Sequence, residues 1–155
     1  LHVLEKRIDT IRTSPELSGW RMVLLYGAVA AVFSVFFGGG VWEAFFGGLT
    51  GMGLCLLLQL LEGPVTNAIV RYALAAVLGG LFLGMTRKYA VDYSIEPALM
   101  GNIMLVIPGI PFTNAIRDML NGDTMSGMLR MSESLLRTIA LAAGFVGALT
   151  ILGQI

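Results

Sequence analysis

Residues 95–122 read IEPALMGNIMLVIPGIPFTNAIRDMLNG, and the rest of the chain is organised around them. The stretch begins as an apolar helix, meets Pro108-Gly109-Ile110-Pro111, and resumes as a more polar helix carrying Asn114, Arg117 and Asp118. A proline has no backbone donor and its ring clashes with the carbonyl four residues back. It also pushes the residue before it out of the helical region. Two prolines three apart therefore predict an interruption. At membrane depth, interrupted backbone leaves polar groups that are tolerated only inside protein or against a water-filled cavity, and in transporters such breaks hold substrates and coupling ions. The alternative is a helix, a loop and a separate surface helix.

Composition favours the membrane setting. Of 155 residues, 56% are hydrophobic and only 13% charged, against about a quarter charged in soluble domains. Between Met22 and Leu61 the only charged residue is Glu43. Ten basic residues balance ten acidic ones, which argues against a nucleic-acid partner. Cys55 and His2 are single residues of their kind, so neither a disulfide framework nor a Cys/His metal centre is expected. The sequence implies no cofactor. The phosphate-cradling GxxxxGK[ST] pattern is absent, and no nucleophile–base pair stands out for an intramembrane enzyme.

Working outward, the pattern predicts an all-α polytopic membrane bundle of about five transmembrane segments, the fourth broken at Pro108–Pro111. Leu1, Leu4, Ile8 and Ile11 recur at helical spacing among charged residues, so residues 1–19 are expected to form an amphipathic, juxtamembrane segment. Trp20 and Arg21 suit a membrane interface. Residues 20–155 then form the transmembrane domain, with spans at about 22–37, 41–61, 66–86, 97–121 and 133–153. The chain opens on Leu1 rather than Met, so a missing natural N-terminus is expected. Gly47 and Gly51, Gly80 and Gly84, and Ala140, Gly144 and Ala148 each stand four apart, a spacing that lets helix backbones approach closely in lipid. Pro64–Ile69 and Pro111–Ile116 agree at five of six positions, a match short enough for coincidence. With the N-terminus cytoplasmic, eight Lys and Arg lie inside and two, Arg87 and Lys88, outside. That orientation is the one expected.

The same reading nominates a site. Asn114 is three residues from Arg117 and four from Asp118, so the three can share one broad helix face. A helix starting at Pro111–Thr113 would point free amides and a positive dipole end at the break. A substrate carboxylate is expected there, with Pro108, Gly109 and Pro111 shaping the break and Arg117 as a second, bidentate anchor. Asp118 would hold a substrate ammonium or a coupling proton, and Asn102 would contribute a polar contact from the apolar half. The bland alternative makes Arg117 and Asp118 a solvated cytoplasmic pair. Arg71, near the start of the third span, would either snorkel to headgroups or face a cavity and attract an anion. Arg71 with Glu62 is the next candidate site.

The run PGIPFTNAIRDMLNGDTMSGMLR, residues 108–130, resembles the signature of the threonine/serine exporter family, in its N-terminal membrane portion. The matching features are Pro108-Gly109-Ile110-Pro111, Asn114, Asp118, Gly122-Asp123, Gly127 and Arg130. The resemblance covers essentially the whole chain. It implies a bacterial inner-membrane, multi-pass exporter of threonine and serine, or of dicarboxylates such as succinate where two subunits pair. It also implies that Asp123 and Arg130 are polar residues with a coupling or structural role. The partners expected are a small carboxylate or amino-acid substrate, a second membrane half or subunit or a homo-oligomer, and the lipid bilayer. A competing reading is a structural or assembly subunit whose partner holds the substrate site.

Overall fold

An apolar run in lipid can satisfy its backbone only by closing hydrogen bonds within one segment or around a closed barrel, and the long apolar runs of this chain are helices. The computed structural model describes residues 19–107 and 109–153. The amphipathic segment expected before Gly19, His2 within it, and Pro108 lie outside those residues. Among the described residues six helices follow one another: α1 Gly19–Phe36, α2 Val41–Leu61, α3 Ala68–Tyr89, α4 Ile95–Val106, α5 Gly109–Leu120 and α6 Thr124–Ile151. Among the described residues the fold is all-α. α1, α2, α3 and α6 are each long and apolar enough to cross a membrane. α4 and α5, fourth in order along the chain, are two helices bent by 48° at the break, and together they are long and apolar enough to count as one further, interrupted span.

Local chemistry sets the helix ends. α1 stops at Gly38, whose φ of +88° only glycine adopts without strain. α3 starts where Asn67 Oδ1 accepts the Ile69 amide at 2.9 Å. Gly122, at φ +93°, turns the chain between α5 and α6, and Asp123 Oδ1 caps α6 by accepting the Ser126 amide at 3.4 Å. The break itself is shorter than two prolines suggest. α5 begins at Gly109, two residues earlier than expected, and Pro111 sits inside its first turn. A first-turn proline costs nothing there, because its missing N–H would have had no intrahelical acceptor.

Glycine decides which helices touch. α1 lies against α2 so closely that a methyl group at Gly51 would fall 2.9 Å from the Tyr26 carbonyl, and one at Gly48 3.0 Å from the Gly27 carbonyl. α3 and α6 meet in the same way, with the Gly144 position 2.7 Å from the Ala73 carbonyl and the Gly80 position 2.8 Å from Ala148 Cβ. Without a hydrophobic drive between helices in lipid, such close van der Waals contact is what holds spans together. The core has two parts. Phe46, Leu83, Tyr93, Ile95, Ala98 and Leu149 form one; Leu54, Ala75, Ala76, Val106, Leu141 and Phe145 form the other.

The bundle has two unlike ends. At the Glu43 end, the Glu43 carboxylate accepts the Gly40 amide at 2.9 Å and the Ser94 amide at 3.0 Å, tying two loops together. Ser94 thus holds the α4 start through its own amide, not through a side-chain cap. Tyr93 stacks on Phe46 with centroids 5.1 Å apart, and its hydroxyl donates to the Leu83 carbonyl at 3.0 Å while pairing with Thr86 Oγ1 at 2.8 Å. Burial raises the Tyr93 pKa, so that hydroxyl stays protonated. The other end, marked by Trp20, carries Glu62, Arg71 and the α5–α6 turn.

Candidate functional site

α1 and α3 each bring one tyrosine, Tyr26 and Tyr72, into the part of the bundle nearer the Trp20 end. Two cavities meet on this pair, sharing Tyr26, Leu58 and Tyr72 as common walls. The first, about 250 Å³, reaches the break and is lined also by Val106, Ile107, Gly109, Ile110, Pro111 and Arg137. The second, about 200 Å³, is lined also by Met22, Cys55, Gln59, Glu62 and Arg71. A third hollow of about 600 Å³, between α2 and α3, is lined by Leu49, Leu57, Leu78 and Phe82 among others and holds no charged residue.

Arg137 enters the break cavity because α6 carries it one helical turn past Glu133, with which it forms an ion pair. Its guanidinium carbon lies 6.0 Å from the Tyr72 ring centroid, a cation–π arrangement that holds the head group beside the ring. Arg137 Nε is buried and, among the described residues, has no hydrogen-bond partner. Arg71 is half-buried, in the first turn of α3. It forms no ion pair with a described carboxylate, Glu62 included. Cys55 is a buried free thiol whose sulfur accepts from Gln59 Nε2 at 3.3 Å.

The residues nominated from the sequence are distributed as follows. Gly109 and Pro111 line the break cavity and Arg71 lines its neighbour; Pro108 lies outside the described residues. Asn102 is fully buried and donates to the Gly47 carbonyl at 3.1 Å and the Ala98 carbonyl at 2.8 Å, joining α4 to α2. Its Oδ1 has no partner among the described residues. Asn114 and Arg117 are exposed. Asp118 is drawn away from Arg117 to Arg130 on α6, at 2.9 Å. Asn102, Asn114, Arg117 and Asp118 are not among the residues lining the two cavities. The reason for the α5 residues is packing: among the described residues α5 rests only on α6, through Ala115 against Gly127, so its polar face turns outward. Asp123 caps α6.

Sequence reasoning nominated none of Tyr26, Tyr72 and Arg137. A signal was available. Both tyrosines stand within about two turns of an interfacial arginine, Arg21 or Arg71, on two spans that enter from the same end, and so at similar depth.

Residues 1–152 match the family described as "Putative threonine/serine exporter". The chain belongs to that exporter family. It is 31% identical over 97% of its length to a protein of Escherichia coli (strain K12) named "Probable succinate transporter subunit YjjP". A protein of the same name from Klebsiella aerogenes is 30% identical, again over 97% of the chain. The chain spans 59% and 58% of the lengths of these relatives. No solved structure matches it. Family membership and the apolar helices together make it a multi-pass protein of the bacterial inner membrane.

Proposed function

We propose that this chain is the membrane part of a secondary exporter subunit for small polar carboxylates. The observation that carries the reading is the interrupted span whose first turn after the break, Gly109–Pro111, lines a cavity that Arg137 lines too. In the first turn of α5 the Gly109 amide is taken by the Ile107 carbonyl at 2.8 Å, and Pro111 has none. A carboxylate entering that cavity therefore meets the Ile110 amide at the positive end of the helix dipole and Arg137, which it would share with Glu133. The family description names threonine and serine and the relatives' names say succinate; every one of these molecules bears a carboxylate. Asn114, Arg117 and Asp118 on α5 then serve as the polar approach to the break. The test is efflux from cells loaded with labelled succinate or threonine, comparing cells with the full-length protein against cells without it. Faster efflux that Arg137→Gln strongly reduces supports the reading; equal efflux from both cells overturns it.

One observation favours a second reading. Asn114 and Arg117 are exposed, and exposed polar faces suit assembly with another subunit that holds the substrate. Under that reading Arg137→Gln leaves efflux unchanged while Arg117→Gln weakens co-purification of the partner.

A further inference from the structure

We propose that the loop joining α3 to α4, residues 90–94, is a releasable strap, and that Tyr93 is the residue by which it holds the Glu43 end of the bundle shut. This rests on the transport reading above, since a substrate lodged in the break cavity, near the Trp20 end, crosses the membrane only if the other end opens. The first observation is that the helices pack as two units. In one, Gly48 and Gly51 of α2 meet carbonyls of α1, and α4 joins them through Gly101, whose methyl position lies 2.7 Å from the Ala30 carbonyl, and through the Asn102 bond to the Gly47 carbonyl. In the other, α3 lies against α6 at Gly80 and Gly144, and α5 rests on α6. Packing between the two units is sparser than within them.

The seam between the units is where the hollows lie. The break cavity takes Tyr26, Leu58 and Val106 from the first unit and Tyr72, Pro111 and Arg137 from the second. Its neighbour and the apolar hollow between α2 and α3 also draw their walls from both. At the Glu43 end the strap closes the same seam. Glu43 Oε1 accepts the Ser94 amide at 3.0 Å, which ties the strap to the first unit. One residue earlier, the buried Tyr93 ring stacks on Phe46 of α2 with centroids 5.1 Å apart. Its hydroxyl reaches across to α3, donating to the Leu83 carbonyl at 3.0 Å and pairing with Thr86 Oγ1 at 2.8 Å. Beneath it, Phe46, Ile95 and Ala98 of the first unit pack with Leu83 and Leu149 of the second. Hydrogen bonds between membrane helices are individually weak, so the hydroxyl can let go while the glycine contacts inside each unit persist. Carriers commonly expose a fixed site to each side by rocking one helical unit against another. A seam with polar cavities at one end and a strap across the other has the parts for that movement.

The experiment has two arms, both in membrane vesicles from the protein's own host with the full-length protein present. The first reads the strap without transport. Leu149→Cys places a thiol in the buried cluster under Tyr93, and the same protein without that substitution gives the background. An impermeant thiosulfonate reagent is applied to right-side-out and to everted vesicles, so that each end is addressed alone. Tyr93→Phe keeps the ring and removes only the hydroxyl. It should speed labelling from the Glu43 end by roughly three- to tenfold, the scale of one interhelical hydrogen bond in a membrane, and Thr86→Ala should speed it less. Unchanged labelling in Tyr93→Phe overturns the proposal, and so does labelling that rises equally from both ends, which marks general loosening. The second arm follows uptake of labelled succinate or threonine into everted vesicles. In the double variant Thr86→Cys with Tyr93→Cys, a bis-thiosulfonate reagent as long as the side chain it replaces makes the attachment of the strap to α3 permanent until reduction cleaves it. Uptake should fall to background on cross-linking and return on reduction, while neither single-cysteine variant responds. Uptake that continues through a cross-linked strap overturns the proposal. Wild-type vesicles that take up neither compound overturn the transport reading instead, and the labelling arm then decides the strap by itself.

Discussion

α4 and α5 are both 12 residues long and are joined at one break, yet they are held in opposite ways. α4 buries Ile95, Ala98, Gly101, Asn102 and Val106 against α1, α2 and α3. α5 buries Ala115 alone and rests on α6. Its apolar residues Ile110 and Leu120 are 78% and 83% exposed. One half of the interrupted span is therefore scaffold and the other is an arm. The break is where a side chain can gain a cavity without the bundle losing its packing, because the segment that leaves contributes little to the core.

Substitutions at matched positions on the two sides should behave differently. Gly101 faces Ser34 Oγ at 2.5 Å and the Ala30 carbonyl at 2.7 Å from where a methyl group would stand. Gly101→Leu must push α4 off α1, at an expected cost of about 3 kcal/mol or more. The variant should fail to accumulate, or lose its cooperative melting in detergent; an unchanged melting temperature would break the distinction between scaffold and arm. Gly127 is equally tight, with a methyl group 2.7 Å from the Ala115 carbonyl, but it supports only the arm. Gly127→Leu should cost less, about 1–2 kcal/mol, and the loss should be local. Hydrogen exchange should quicken across 109–120 while 95–106 stays protected; equal loss in both would show that α5 belongs to the core.

Asn102→Ala sharpens the scaffold side. The substitution removes the Asn102 bond to the Gly47 carbonyl at 3.1 Å, and interhelical hydrogen bonds in membranes average only about 0.6 kcal/mol. It also removes a buried Oδ1 that has no described partner, which offsets part of that loss. A destabilisation below about 1 kcal/mol is expected, read as a small shift in detergent melting. A loss as large as that of Gly101→Leu would mean that hydrogen bonding, not close packing, fixes α4.

Much of the fold was legible because membrane burial writes itself into composition. An uncharged apolar run can only be a span, and proline can only weaken one, so an all-α bundle with an interrupted fourth span follows from residues 22–152 alone. Close helix contacts at Gly47, Gly51, Gly80, Gly84 and Gly144 were legible too, since small residues four apart have few other uses in lipid. The site was less so. Spacing on α5 places Asn114, Arg117 and Asp118 near one another, but spacing carries no information about which face meets the bundle. That was decided by Gly127 receiving Ala115 and by Arg130 pairing with Asp118. The repeated hexapeptide makes the same point. Asn67 caps α3, while Asn114, at the equivalent place in the copy, sits within α5. Context, not the local sequence, chose the role.

The smallest expected effect on stability is the most informative about the arm. The Asp118–Arg130 bridge joins α5 to α6 at 2.9 Å, with side chains 29% and 59% exposed. Exposed pairs contribute up to about 1 kcal/mol and often nothing measurable, so Asp118→Asn and Arg130→Gln should each leave the melting temperature nearly unchanged. Their effects on efflux separate two roles. If the pair only clips the arm to α6, both variants should alter efflux by the same modest factor, and the double variant should be no worse than either single one. If Asp118 exchanges Arg130 for a substrate ammonium or a coupling proton, Asp118→Asn stops efflux, whereas Arg130→Gln leaves the carboxylate in place and keeps it. The double variant then follows Asp118→Asn. Arm and scaffold would differ in function as they do in packing, because a contact worth almost nothing to folding would be the one that transport cannot lose. Equal, modest losses would instead make the arm a passive clasp and leave transport to the break cavity alone.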